Sequence, residues 1–190
     1  MLLFREKIPP DWLPKVLGNL PAVLVDHAHL ERKAATSALN LEKFHDLFPR
    51  VDELNAIAIE ELQHFQLVLN LLRRRQIPFG QACPSRWISG LMRAIRNGSR
   101  YQVIDHLICC SLIEGRSCEK FQILAVELQK QDAELASFYA GLVESEGNHY
   151  ATYLVMAKEI NEAETQSRLN FYLDLEADLV RQPNPAPLLH

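Results

Sequence analysis

Several things are scarce in this chain of 190 residues. No apolar run approaches the roughly 20 residues that span a bilayer. The opening MLLFREKIPPDW has four apolar residues and then mixed charges, which is not a secretory signal. The expected location is therefore the cytoplasm. Four cysteines occur, none in C-x-x-C spacing, so neither a zinc ribbon nor a thioredoxin-like redox pair is indicated. Seven glycines exclude a collagen-like or low-complexity chain. No Ser-His-Asp or Cys-His nucleophile constellation stands out. No convincing alternation of apolar and polar residues marks a strand.

Proline is also absent from long stretches. It falls at 9, 10, 14 and 21, then 49, 78 and 84, then 183, 185 and 187. Three blocks without it remain: 22–48, 50–77 and 85–182. Proline is costly inside a helix, so these are where helices can run. Their apolar residues recur at helical spacing. The pattern predicts helices at 22–46, 51–76, 85–97, 100–130, 132–160 and 162–180. An irregular N-terminal arm (1–21) precedes them, and an extended or mobile tail (182–190) follows. Four of the helices are each roughly 40 Å long at about 1.5 Å per residue. With a longer connection between the second and third, this is an all-α, ferritin-like four-helix bundle with a crossover and flanking helices, a single domain over 1–190.

Acidic residues and histidines interrupt the apolar stripes. Glu31 sits among small residues of the first long helix. Glu61 and His64 lie in the stripe of the second, Glu114 in the third, Glu146 and His149 in the fourth. The order is Glu, Glu-x-x-His, Glu, Glu-x-x-His. Residues three apart share a helix face, so a Glu and its His can grip one ion. Glu31 and Glu61 are 30 positions apart, Glu114 and Glu146 are 32, so the halves of the chain repeat the motif. With 16 Glu and 7 His, chance predicts fewer than one Glu-x-x-His, and there are three. The third, Glu42 with His45, lies three turns beyond Glu31 and reads as a helix-end surface pair. Four carboxylates at one depth repel one another, and the stripes hold no Lys or Arg to neutralise them. Two metal ions would. An oxygen-rich set with two imidazoles favours iron or manganese over zinc. Glu60 is placed to orient an imidazole across the site, and His27 is one turn from Glu31.

Acid is missing from a second place. Between Leu62 and Ile104 there is no Asp or Glu, while seven arginines occur: Arg73, Arg74, Arg75, Arg86, Arg93, Arg96 and Arg100. A chain of net charge −4 thus concentrates seven positive charges in its crossover, with Phe79, Trp87 and Tyr101 interleaved. Arginine suits phosphate and base contacts, so the segment reads as a nucleic-acid footprint.

Four segments carry a family likeness: DHAHLERKAA around Glu31, EELQHF around Glu61, LIEGRSCEKF around Glu114 and SEGNHY around Glu146. Over nearly its whole length the chain resembles the tRNA 2-methylthio-N6-isopentenyladenosine hydroxylases. It differs from their pattern at Gly115 (Ala there) and at Gly147-Asn148 (Ala-Arg there). The resemblance implies a di-iron monooxygenase with Glu31, Glu61, His64, Glu114, Glu146 and His149 as iron ligands. It implies dioxygen as co-substrate, tRNA as substrate and a reductase or ferredoxin as electron donor. The reaction would hydroxylate the isopentenyl side chain of the nucleoside beside the anticodon. A monomer or small oligomer, with no membrane partner, is expected. The rival readings are a hydroxylase of another substrate such as a quinone ring, a ferritin-like iron store, a rubrerythrin-like peroxidase and a metal-free RNA-binding bundle.

Overall fold

In the computed structural model, residues 3–182, 186 and 188–190 are described. Among them are seven α-helices and no strand: α1 (Trp12–Leu17), α2 (Leu20–Leu41), α3 (Val51–Arg74), α4 (Arg86–Arg93), α5 (Gln102–Glu127), α6 (Ala133–Ile160) and α7 (Glu162–Arg181). The bundle is made of two hairpins, α2 with α3 and α5 with α6. The connection between them carries α4, and α7 packs against α4, α5 and α6.

Three helix starts are capped by side chains. Ser85 accepts from the Ile88 amide, Asp132 from Leu135 and Asn161 from Glu164, each capping a first turn. Three expected boundaries need correction. The arm is not wholly irregular, because α1 forms within it. The first long helix starts at Leu20 and takes Pro21 into its first turn, where a missing N–H costs nothing. It stops at Leu41, not 46. Phe44 is extended there, and a 3₁₀ turn (His45–Arg50) carries Pro49 into α3.

The expected tail also departs from the reading. Residues 183–185 and 187 lie outside the described residues, but Leu188, Leu189 and His190 are buried. The Leu189 amide donates to Asp26 Oδ2 at 2.9 Å, and the Lys120 ammonium donates to the Leu189 carbonyl. The His190 ring stacks on Trp87 with centroids 5.2 Å apart.

The core comes in two apolar clusters. One joins the start of α2, the end of α3, the end of α5 and the start of α6 through Leu24, Val68, Phe121 and Leu135. The other joins their opposite ends through Ala38, Leu54, Leu107 and Tyr153, and reaches α7. The polar stripe residues lie between the two clusters in sequence on all four helices.

Buried ion pairs fasten the flanking helix. Asp105, fully buried, accepts from Arg96 of the crossover and Arg168 of α7. Glu176 accepts from Arg116 at 2.8 and 2.9 Å and from the Trp87 indole at 3.1 Å. Each pair satisfies donors and acceptors that would otherwise be stranded in the core.

The two departing glycines have different reasons to exist. A Cβ on Gly115 would stand 2.8 Å from Tyr150 Cδ2 and 3.0 Å from Phe4 Cζ, both ring atoms. On Gly147 it would meet only Cys118 Sγ, at an ordinary 3.7 Å. Gly115→Ala is therefore expected to destabilise by about 1–3 kcal/mol through overpacking. Gly147→Ala is expected to stabilise by about 0.5–1 kcal/mol through helix propensity. Urea unfolding of the two variants checks this; the same sign for both would contradict it.

Candidate metal centre

Each long helix delivers one polar layer to the middle of the bundle. Glu31, Glu61, Glu114 and Glu146 are all at most 4% exposed, and His64 and His149 are buried with them. No Lys or Arg forms an ion pair with any of the four carboxylates among the described residues; only histidines come within range.

Donor atoms of these six residues converge in two overlapping groups. Glu31, Glu61, His64 and Glu146 bring one atom each to within 4.8 Å of one another, and Glu61, Glu114, Glu146 and His149 do the same. Glu61 and Glu146 belong to both groups. Two cations could be held there, with Glu61 and Glu146 available to both and one further Glu and one His on each side.

The orphaned atoms point the same way. Both Glu61 oxygens, Glu146 Oε1, His64 Nδ1 and His149 Nδ1 are buried without a hydrogen-bond partner. His64 Nδ1 lies 3.7 Å from Glu31 Oε2, 3.7 Å from Glu146 Oε1 and 3.9 Å from Glu61 Oε2. His149 Nδ1 stands 2.7 Å from Glu61 Oε1, yet without hydrogen-bond geometry. Donors held about 2.1 Å from one ion stand roughly 3–4 Å apart, so these spacings suit a shared ion. The residues fit a pair of metal ions.

The outer ring nitrogens decide which lone pairs face inward. Glu60 accepts from His149 Nε2 at 2.9 Å, reaching across to the other hairpin. That proton on Nε2 leaves the Nδ1 lone pair turned toward Glu61. On the other side, His64 Nε2 lies 3.4 Å from the Ser145 hydroxyl. The His27 ring contacts Glu31 Oε1 through Nε2 and stacks on Tyr139, centroids 5.6 Å apart.

Proton affinities reflect the crowding. Burial raises Glu61 and Glu146 well above the usual carboxylate range, and neighbouring carboxylates push them further. Burial raises Glu114 to about 7, the Glu31 charge adding to it and His64 opposing it. Burial acts on Glu31 too, but His27 and then His64 outweigh it and hold this carboxyl low. Burial lowers His149, against the pull of Glu60.

A cavity of about 430 Å³ opens onto the cluster between α2, α4 and α5. Glu31, Glu114 and Glu146 form one wall, and Leu30, Ala34, Ile88, Met92, Cys110, Ile113 and Leu189 line much of the rest. Arg32, Lys33 and Thr36, all exposed, stand along its α2 edge. The sequence pattern did not single out Leu30, Arg32, Lys33, Thr36, Met92 or Ile113 as cavity lining, because nothing in α2 or α5 announces the gap between them.

The crossover arginines divide. Arg74 and Arg75 pair with Glu134, Arg75 also with Asp132, and Arg96 with Asp105 and Glu164. Arg73, Arg86, Arg93 and Arg100 are exposed, and no carboxylate pairs with them among the described residues. The surface pair Glu42 and His45 stays outside the cluster. Glu42 caps the end of α2, and His45 is exposed in the 3₁₀ turn.

Fold and cluster together define a class: a ferritin-like bundle with a buried carboxylate–histidine centre able to hold two metal ions. The chain belongs to the family described as tRNA-(MS[2]IO[6]A)-hydroxylase (MiaE), whose model matches residues 2–190. It is similar to the tRNA 2-(methylsulfanyl)-N(6)-isopentenyladenosine(37) hydroxylase of Pseudomonas putida, 34% identical over 184 residues, covering 96% of this chain and 88% of that one. The Salmonella typhimurium protein of the same name is 37% identical over 134 residues, 70% of this chain and 48% of its own length. Among solved structures, Protein 43 with aldehyde deformylating oxygenase activity from Synechococcus superposes with a TM-score of 0.91 at 28% identity, covering 98% and 94% of the two chains.

The raised carboxyls have a consequence for the metal-free protein. Folded Glu61, Glu114 and Glu146 keep protons that the unfolded chain has already released, so their contribution is present at low pH and lost as pH rises through their raised folded values, about 7 for Glu114. Glu31, held low, contributes the opposite slope only in the acid range below the ordinary carboxylate pKa. The melting temperature of metal-free protein is expected to fall between about pH 5 and 8. Saturating Mn²⁺ or Fe²⁺ is expected to abolish that fall, since the ions displace the protons. Scanning fluorimetry across this range decides it; a metal-free melting temperature that climbs with pH would contradict the assignment.

Proposed function

We propose that this chain is a di-iron, O2-dependent hydroxylase of the isopentenyl side chain of 2-methylthio-N6-isopentenyladenosine, next to the anticodon in tRNA. The observation that carries the reading is a buried four-glutamate, two-histidine cluster opening onto a largely apolar cavity. Family membership and the names of the relatives supply the substrate. The fold neighbour's aldehyde chemistry supports an oxygenase of this architecture.

Glu31 and His64 would hold one iron and Glu114 and His149 the other, with Glu61 and Glu146 between them. When bound, the irons supply dioxygen activation, with two electrons from a reductase or ferredoxin. The remaining work belongs to the chain. Glu60 fixes the His149 ring, and His27 fixes Glu31. The cavity wall, about 430 Å³ in extent and within the usual range for small-molecule sites, seats the apolar prenyl group beside three of the carboxylates. Its apolar lining keeps bulk water from the reacting carbon. Exposed Arg32 and Lys33 at the cavity edge, with Arg86 and Arg93 of α4, offer charge to the RNA backbone while the modified base turns inward. Arg74, Arg75 and Arg96 already pair with carboxylates of this chain, the first of them at the surface. The cytoplasm, where tRNA is found, is the corresponding location.

The test is direct. Iron-loaded protein is given prenylated, methylthiolated tRNA, oxygen and a reductant, and the digested tRNA is read by mass spectrometry for a prenyl nucleoside gaining one oxygen. Wild type is expected to add it. Glu114→Ala and His149→Ala are expected to lose at least about 100-fold in rate, in line with removing a metal ligand or its support. If iron loads and the mass never changes, the tRNA assignment is wrong, and fatty aldehyde and quinone assays come next.

Charge makes a separate prediction. Arg86→Ala with Arg93→Ala is expected to weaken tRNA binding and to flatten the salt dependence of log K by about 2 units of slope, roughly 0.9 per lost phosphate contact. Arg75→Ala is expected to lower stability with little change of that slope, because its guanidinium already serves Asp132 and Glu134. Filter binding over a salt series separates the two; equal slopes for all variants would remove the α4 surface from the interface.

A further inference from the structure

The cavity beside the carboxylates has a wall that no helix supplies. Along α2 it runs from His27 to Ser37, about 15 Å at 1.5 Å per residue. Glu31, Glu114 and Glu146 stand in its middle stretch. Thr36, Ser37, Met92 and Cys110 lie toward one end, where Thr36 and Met92 are exposed. At the other end are His27, one turn before Glu31, Ser117, one turn after Glu114, and Leu189. Leu189 is fully buried and packs into the apolar cluster on that side.

Leu189 is also held at both of its peptide groups. Its amide donates to Asp26 Oδ2 at 2.9 Å, and its carbonyl accepts from Lys120. His190 adds two anchors, a 2.9 Å contact from Nε2 to the Ser117 hydroxyl and the stack on Trp87. Asp26, Lys120, His190 and Ser117 are all buried, so four polar groups are withdrawn from water to fix one leucine. Burial raises the Asp26 carboxyl, and the Leu189 amide answers with a stabilising hydrogen bond. A segment pinned this firmly is a wall, and it closes the cavity beside His27 and Ser117, each one turn along its helix from a cluster carboxylate, where it limits how far an apolar chain can advance.

We infer that Leu189 is the specificity-determining end-stop of the prenyl cavity, fixing the length of side chain accepted and the carbon presented to the metal centre. The inference rests on the proposed function for its prenyl substrate. Its geometry is independent of which metal is bound. A five-carbon chain stops against the leucine with its far carbons beside Glu31 and Glu114. A smaller side chain opens the cavity toward Phe121 and Ala28 and admits a longer chain. A larger one fills the position of the terminal methyls.

The experiment measures binding as well as turnover. N6-isopentenyladenosine and N6-geranyladenosine are equilibrated by dialysis with metal-free wild type, Leu189→Ala and Leu189→Phe. Circular dichroism and Co²⁺ uptake show that each variant keeps the fold and the metal cluster. Leu189→Ala is expected to raise the geranyl-to-isopentenyl affinity ratio about 10-fold or more, and Leu189→Phe to weaken isopentenyl binding by a similar factor. On tRNA, iron-loaded Leu189→Ala is expected to spread the added oxygen over more than one prenyl carbon. Ratios within two-fold of wild type in both folded variants would overturn the inference, as would failure of wild type to bind either nucleoside. If one variant does not fold, the other carries the ratio test. Nucleoside ratios that shift while wild type leaves tRNA unmodified would keep the end-stop and reject the tRNA reading, so the two fail separately.

Discussion

Four carboxylates buried at one level, with no lysine or arginine among them, are the constraint around which this molecule is organised. Like charges at that depth cannot all ionise without a counter-charge. Protons answer the conflict in the absence of metal, which is why three of the four carboxyls are raised above the usual carboxylate range. Metal ions answer it more fully, because each can accept donors from several helices at once. The cluster is thus a point of stored electrostatic strain relieved by the ligand it is shaped to take. The apolar clusters on either side hold the four helices in register so that the strain cannot be relieved by splaying.

The same logic explains the flanking parts. A bundle with a polar waist loses apolar burial there, and one side of the waist is further opened by the cavity. α7 and α4 compensate by covering α5. They are fastened through Asp105 and Glu176, each satisfied by two donor groups. These pairs are buried but fully partnered, unlike the orphaned atoms of the waist. That contrast separates the two kinds of buried charge: one is finished within the protein, the other is not.

Much of this was legible in the residue order, for a physical reason. A helix places residues three apart on one face, so Glu61 with His64 and Glu146 with His149 announce convergence without any knowledge of tertiary structure. Proline-free blocks announced the long helices, and the missing acids of the crossover announced its charge. What could not be read depends on contacts distant in sequence. Arg75 and Arg96 look like free cations until Asp132, Asp105 and Glu164 arrive from other elements. That the imidazole across the site from Glu60 is His149 depends on the opposing hairpin, which sets the ring it meets. Leu188–His190 follow three prolines and carry no periodicity, so nothing local marks them as core. Partners far away along the chain, Asp26, Trp87, Ser117 and Lys120, make them so.

Openness on one side and closure on the other follow from the chemistry a cluster of this kind performs. A reacting carbon must come close to the metal ions, while water and stray reductants must not. An apolar cavity sealed at one end by a pinned leucine and bordered at its edge by Arg32 and Lys33 divides those tasks between different residues. On the proposed function, the charged edge would meet a polyanion too large to enter, and the blind end would measure the small apolar group that does. Selectivity is then the product of two independent contacts, one electrostatic and dependent on salt, one steric and indifferent to it. A free prenyl nucleoside would satisfy only the second, and an unmodified tRNA only the first. Either alone would bind more weakly than the two together, which favours the modified tRNA over each of its parts.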